Sequence, residues 1–488
     1  MIIFILVGFL GCADQQEATP DQIIADDTGA GIDARLTPYL QQALTHFDLP
    51  GLAVGIVQDG QVVYARGFGF ESLANRQPVT IRTLFHMASI SKPFVATAVM
   101  QLVEEGEINL DDPVTKYLPY FRLQGHDHSQ ITIRQMLTHT SGMPDVEDYQ
   151  WDKPVYDEGA LERYVRSLAD QQPVHPPGET FRYSNMAFEC LGDLIGKVSG
   201  MTFADYVKQN ILDPSGMTAS TFLKPEHLPE LWAAPHLRTL VTFTWDGYPY
   251  NRMHGPSSTL HSSALEMCRW AEINMNRGER AGQRILPAVA YDELWRPQAD
   301  AGRSRQVGLS WFIGEYKGEK TISHGGGDVG FNTMLVMLPE RKTAVVVLCN
   351  FIPAPVEMIA YAAVDILLGQ EPPQLRPPLA SLKVLAELKT TGREAAVQLW
   401  HSLYQTDPEG YDFSPQQFFQ IMQTAVLLDR EADAADLARF IRNVLPENAL
   451  SGAVSVLAEY AAQNPQNRAA AAALQIFQSD EPDPTTGH

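Results

Sequence analysis

Strand-like alternation marks the two ends of a stretch of roughly 300 residues, and the span between is patterned for helices. Residues 51–70 alternate apolar positions around Asp59-Gly60, a dipeptide that signals a hairpin. Strand-like runs return at 309–313, 320–323, 333–338 and 343–348. Between them, Val95, Val99 and Leu102 recur at i, i+4, i+7, which predicts a helix from about Ser91. A second helix runs from about Ala187 through Leu191, Leu194 and Val198 until Gly200 stops it. A helix over 356–368 closes this part. The order predicts an α+β fold: an antiparallel sheet in which early and late strands meet, flanked by helices, plus a helical domain.

Pro372-Pro373 and Pro377-Pro378 form a stiff break, beyond which helix formers dominate. Helices are expected over 393–404, 415–428, 431–444, 452–463 and 468–477, an all-α C-terminal region, and residues 479–488 read as a disordered tail. Segments ending at Pro446-Glu447-Asn448 and Pro465-Gln466-Asn467 resemble tetratricopeptide helix ends. They are 19 residues apart, short of the repeat period of roughly 34, so the region is a degenerate helical repeat at best. A helical appendage packed on the first domain and a partner-binding array both fit. At the other end, an apolar run over 2–10 leads into Gly11-Cys12 and resembles a bacterial lipoprotein signal with Cys12 as the lipidated residue. No Lys or Arg precedes this short run. The reading makes the protein an exported, periplasmic or cell-envelope lipoprotein, with polar residues 13–33 as a tether.

The 58 Asp and Glu outweigh 36 Lys and Arg, a net charge of −22, which disfavours nucleic acid and anionic lipid surfaces as partners. Cys190, Cys268 and Cys349 lie in apolar runs without CxxC spacing and read as buried inert thiols.

Three motifs carry chemistry. In Ser89-Ile90-Ser91-Lys92, residues i and i+3 share a helix face, so Lys92 can reach the Ser89 hydroxyl. Serine needs a base to act as a nucleophile, and partial burial of Lys92 would supply a neutral amine. In Tyr183-Ser184-Asn185, a phenol whose pKa a nearby ammonium lowers can relay protons, and the amide offers a donor and an acceptor. In His324-Gly325-Gly326-Gly327, after the strand-like 320–323, glycines let a substrate approach a strand edge and leave N–H groups for an oxyanion hole. Each motif alone is a weak signal: a capped helix, a loop Tyr and Asn, and a flexible turn explain them equally well.

Together, in this order and with spacings of 94 and 141 residues, they resemble the serine β-lactamase and penicillin-binding protein superfamily, its class C-like branch in particular. Phe85-His86-Met87-Ala88-Ser89, Leu110-Asp111-Asp112-Pro113-Val114, Leu137-Thr138-His139-Thr140-Ser141-Gly142 and Gly330-Phe331-Asn332 strengthen the resemblance, which spans about residues 33–368. It implies that Ser89 is acylated and that Lys92 and Tyr183 transfer protons, Tyr183 serving the leaving group and the deacylating water. It implies further that Asn185 holds the acyl amide and that the N–H groups of Ser89 and Gly327, beside Gly326, form the oxyanion hole. His324 stands where β-lactamases carry the Lys of a KTG motif. That departure is similar to esterase, D-aminopeptidase and peptidase branches and implies poor β-lactam turnover. The domains are then signal and lipobox 1–12, tether 13–33, hydrolase 34–370, Pro-rich linker 371–380, helical region 381–478 and tail 479–488.

His324-Gly325-Gly326-Gly327 also matches a lipase oxyanion motif. That fold needs a GxSxG elbow after it, which the chain lacks. His126-Asp127-His128 has no third ligand at metal spacing, so no metal or other cofactor is called for. His139 reads as structural. Two functions stay open: a hydrolase of small-molecule or peptide esters and amides, or a feebly catalytic sensor or scaffold whose C-terminal helices bind a protein partner.

Overall fold

The computed structural model of the protein describes residues 22–125, 128–224 and 230–479. Three early strands, β1 (Ile23–Ile24), β2 (Gly51–Gln58) and β3 (Gln61–Gly69), share a sheet with six late ones. These are β4 (Ala299–Gly302), β5 (Arg305–Val307), β6 (Phe312–Tyr316), β7 (Glu319–Asp328), β8 (Phe331–Leu338) and β9 (Thr343–Cys349). The order is β1-β3-β2-β9-β8-β7-β6-β5-β4, antiparallel throughout. Strand β9 pairs with β2, Val347 opposite Val54, which joins the two ends of the domain as the sequence predicts. Asp59 and Gly60 both take positive φ, 52° and 76°, as a two-residue hairpin loop requires.

Alternation then builds two cores. Leu52, Val54 and Ile56 of β2 and Val345 and Val347 of β9 meet helices α1 (Asp26–His46) and α6 (Val356–Leu367) on one face. Ala53 and Val57, with Ala344, Val346 and Leu348, meet the larger helical layer on the other. That layer contains α2 (Lys92–Glu104), α3 (Asn185–Ser199), the short α4 (Gly255–Ser258) and α5 (Ala264–Met275). Phe94 of α2 stacks on Trp270 of α5 at 3.9 Å.

Three expectations change. The stretch read as a tether up to residue 33 is structured from Ile23, which pairs with Ala65, and α1 begins at Asp26. Its buried Ile32, Leu36 and Leu40 recur at i, i+4, i+8 behind a polar outer face, and that face dominates the local composition. The strand expected over 309–313 starts at Phe312, because Gly308 N–H bonds Trp311 O and Ser310 takes φ 71°. The glycines after His324 lie inside β7 rather than beyond a strand end.

The C-terminal region is helical, with α7 (Ala380–Thr390), α8 (Arg393–Thr406), α9 (Gln416–Leu427), α10 (Glu431–Val444), α11 (Glu447–Gln463) and α12 (Arg468–Gln478). Helix α7 begins where the linker was expected to end and has no counterpart among the five helices expected there. Leu240, from a hairpin of the first domain, is buried in the same cluster as Phe418, Leu437 and Ile441. Beside it, Thr239 Oγ1 donates to Asp433 at 2.8 Å and the Arg430 guanidinium lies 4.3 Å over Phe243. Cys12 and the signal run, His126, Asp127 and residues 480–488 lie outside the described residues. Cys190, Cys268 and Cys349 are free and buried.

Candidate active site

Ser89 sits in a single 3-10 turn, Ala88–Ser91, which runs directly into α2. Ala88 enters this turn at φ 48°, a region that costs a non-glycine residue free energy and recurs at functional sites. The neighbouring hydroxyls have structural partners. Ser91 Oγ accepts from Leu260 N–H at 3.0 Å, and Ser184 Oγ donates to Pro144 O at 2.7 Å while capping α3. Ser89 is the one of the three that faces the cleft.

Lys92 is fully buried beneath it. Its Nζ donates to Ser89 Oγ at 3.0 Å and to Ser257 O at 2.8 Å, and it lies 4.9 Å over the Tyr183 ring. Burial pushes the ammonium down to about 7, against the opposing pull of Glu189, Asp145 and Asp328. An amine of that basicity is largely deprotonated just above neutrality and can take the serine proton.

Tyr183 precedes α3 and stacks on His139, 4.1 Å between rings. His139 Nδ1 accepts from Ser184 N–H at 3.1 Å, and burial holds the imidazole well below its usual value, so it is a neutral structural platform. The condition set for a phenol relay, a nearby ammonium that lowers the pKa, is not met at Tyr183. Burial raises it above the ordinary phenol range, and a hydrogen bond to Ser89 opposes this only in part. Tyr183 is therefore held in its protonated form, while Lys92 is lowered toward its neutral amine.

Asn185 is held by Asp145, whose Oδ1 accepts from both its N–H and its Nδ2 at 2.8 Å. Asn185 Oδ1 is buried with no partner among the described residues, an acceptor open to a substrate N–H.

His324 is neutral as well. Burial, then the Lys92 charge, push it down to about 3. Its Nδ1 bonds Gly325 O at 2.7 Å, so the ring N–H is occupied there and Nε2 is a free acceptor. A neutral imidazole has a single N–H to donate, and Gly325 O takes it, so His324 offers a substrate no donor.

Strand β6 pairs with β7 only as far as Ser323, so the edge of β7 from His324 to Asp328 carries no strand on that side. Gly326 brings this edge against the Ser89 turn: a Cβ there would lie 2.2 Å from Met87 O and 3.2 Å from Ala88 Cβ. Thr333 Oγ1, opposite Gly326, donates to Met87 O at 2.9 Å and fastens the two together. The result is a cleft of about 820 Å³ lined by Ser89, Tyr183, Asn185, His324 and the glycine strand. Among the described residues no cluster of three or more His, Cys, Asp and Glu is arranged for a metal ion.

Several participants escape the motif reading. Glu189 follows Asn185 by one helical turn on α3, and this i, i+4 spacing is the signal that could have found it. It is buried, with His254 and Ser257 on its oxygens. Asp145, the Ser257 carbonyl and Thr333 reach the site only through the fold.

A family model described as Beta-lactamase matches residues 36–368. Protein flp of Staphylococcus aureus (strain COL) is 25% identical over 330 residues, 67% of this chain and 64% of that protein. Penicillin-binding protein 4* of Bacillus subtilis (strain 168) is 26% identical over 317 residues, 60% of this chain and 66% of that one. The chain thus spans less than two thirds of the curated relatives' length. Among solved structures, the octameric penicillin-binding protein homologue from Pyrococcus abyssi superposes with TM-score 0.62 and 29% identity, over 74% of this chain and 81% of that one. The penicillin binding protein from Bacillus halodurans gives TM-score 0.58 and 26% identity, over 67% and 99%.

Proposed function

Because the chain belongs to the beta-lactamase family, we propose that it is a serine hydrolase that cleaves esters, amides or D-amino-acid peptides through an acyl-enzyme on Ser89. The observation that carries this is the buried Lys92 amine, lowered to about 7 and 3.0 Å from Ser89 Oγ. In this reading Lys92 takes the Ser89 proton as Oγ bonds the substrate carbonyl carbon. The charge that develops on the carbonyl oxygen is held by the N–H groups of Ser89 and Gly327. Tyr183 gives its proton to the departing alcohol or amine as the C–O or C–N bond breaks, and regains one from Lys92. Water then attacks the acyl carbon by the same route in reverse and frees Ser89. Asn185 Oδ1 takes the acyl amide N–H. With His324 neutral, residue 324 offers no cation to a β-lactam carboxylate, which supports weak or absent β-lactamase activity.

A second reading is a sensor of little turnover with a protein partner on its C-terminal helices. An apolar groove of about 560 Å³ between α9 and α11 favours it. Export as a lipoprotein anchored through Cys12 completes the proposal. Fluorophosphonate labelling and ester turnover decide between the readings. Both should vanish in Ser89→Ala, with the adduct on the Ser89 peptide in the native chain; an adduct on Ser91 or Ser184 refutes the assignment, and labelling without turnover favours the sensor.

A further inference from the structure

Resting on the acyl-serine reading, we propose that Arg305 anchors a substrate carboxylate in the cleft, one aromatic ring farther out than residue 324. His324 cannot hold that carboxylate. Its ring N–H is taken by Gly325 O, and it carries no donor toward the cleft. A substrate carboxylate must therefore find its cation elsewhere.

Arg305, on β5, lines the same cleft as Ser89 and His324. It forms no ion pair among the described residues, although the chain carries an excess of acidic groups. Instead its Cζ lies 5.2 Å over the Phe312 ring, and the Phe312 ring lies 5.3 Å from that of His324. Phe312 is also the residue at which β6 pairing to β7 stops, opposite Ser323. A guanidinium, a phenyl ring and a neutral imidazole thus form a ladder from the rim of the cleft toward the free edge of β7. A planar cation on an aromatic shelf keeps its fork of donors for a carboxylate, while the ring beside it takes the apolar part of the same group. The favoured substrate therefore carries its acid on an aryl or similarly long spacer, not directly beside the scissile bond. Asp328, Glu357 and Arg376 also border this cleft; Asp328 is paired with His86, and Arg376 is the other cation against which Arg305 is compared.

The test compares a phenyl ester with the 3-carboxyphenyl ester of the same acyl group. The native protein should prefer the carboxylate by about tenfold in kcat/KM, the scale of a charge-assisted hydrogen bond at a half-buried site. In Arg305→Ala that preference should disappear, chiefly through KM; Arg305→Lys should restore part of it, and Arg376→Ala should leave it within twofold. An unchanged preference in Arg305→Ala, or its loss in Arg376→Ala instead, overturns the proposal. Calorimetric binding of the carboxylated ester to Ser89→Ala, with and without Arg305→Ala, reads the anchor without catalysis. A tenfold loss there supports Arg305 even if neither ester is turned over, an outcome that would refute only the hydrolase reading; no loss overturns Arg305 alone.

Discussion

Gly326→Ala tests whether the close approach of β7 to the Ser89 turn governs the proposed reactivity of Ser89. An alanine Cβ would sit 2.2 Å from Met87 O and 2.4 Å from Thr333 Oγ1. Real Cβ contacts do not fall below 3.0 Å, so strand and turn must part by about 0.8 Å, and misplacement on this scale costs about 10²-fold in rate. The Met87 carbonyl is backbone and cannot swing aside as a flexible side chain would. Gly325, one residue earlier, points to the opposite face, where its Cβ would meet only Met334 Sδ at 3.4 Å and Thr333 O at 3.7 Å. The expected result is a fall of about 10²-fold in the rate of fluorophosphonate labelling and in ester kcat/KM for Gly326→Ala, against a few-fold at most for Gly325→Ala. Overpacking of this kind costs about 1–3 kcal/mol, which leaves most of the protein folded; thermal denaturation of both variants verifies this. Native labelling rates in Gly326→Ala, or equal losses in both variants at equal stability, would refute the reasoning.

The Lys92 amine must be neutral to accept the serine proton, so kcat/KM on a neutral ester should fall as the pH drops through about 7. Lys92→Ala should lose that limb together with about 10²–10⁴ in rate, and a native profile flat from pH 5.5 to 8.5 would contradict the assignment. The burial of Leu240 among the C-terminal helices predicts that a chain cut after Arg376 loses solubility and that Leu240→Ser in the full chain costs about 1.5–3 kcal/mol in denaturant unfolding. An unchanged midpoint would show that α7–α12 pack only loosely on the first domain.

The hairpin at Asp59-Gly60, the pairing of early with late strands and the nucleophile motif were all legible because each depends on local chemistry: a positive-φ turn, a period of two, or two side chains three residues apart. Helix α1 was not, because its apolar stripe of Ile32, Leu36 and Leu40 lies among polar residues, and only the sheet it covers reveals the face. The same limit applies to protonation. Ser89, Lys92, Tyr183 and His324 are named by sequence order, but the protonation of the last three depends on burial and on charges that packing brings in, Glu189, Asp145 and Asp328 about Lys92 and Lys92 about His324. Only the tertiary structure shows that Gly325 O occupies the His324 N–H and that burial raises the Tyr183 pKa. Arg305 has no motif at all. Its place in the cleft comes from β5 lying beside β6, whose Phe312 holds the guanidinium near the free edge of β7. Residue spacing determines which groups can share a helix face or a strand; desolvation and long-range packing, which no local spacing encodes, decide what charge those groups carry and what they face.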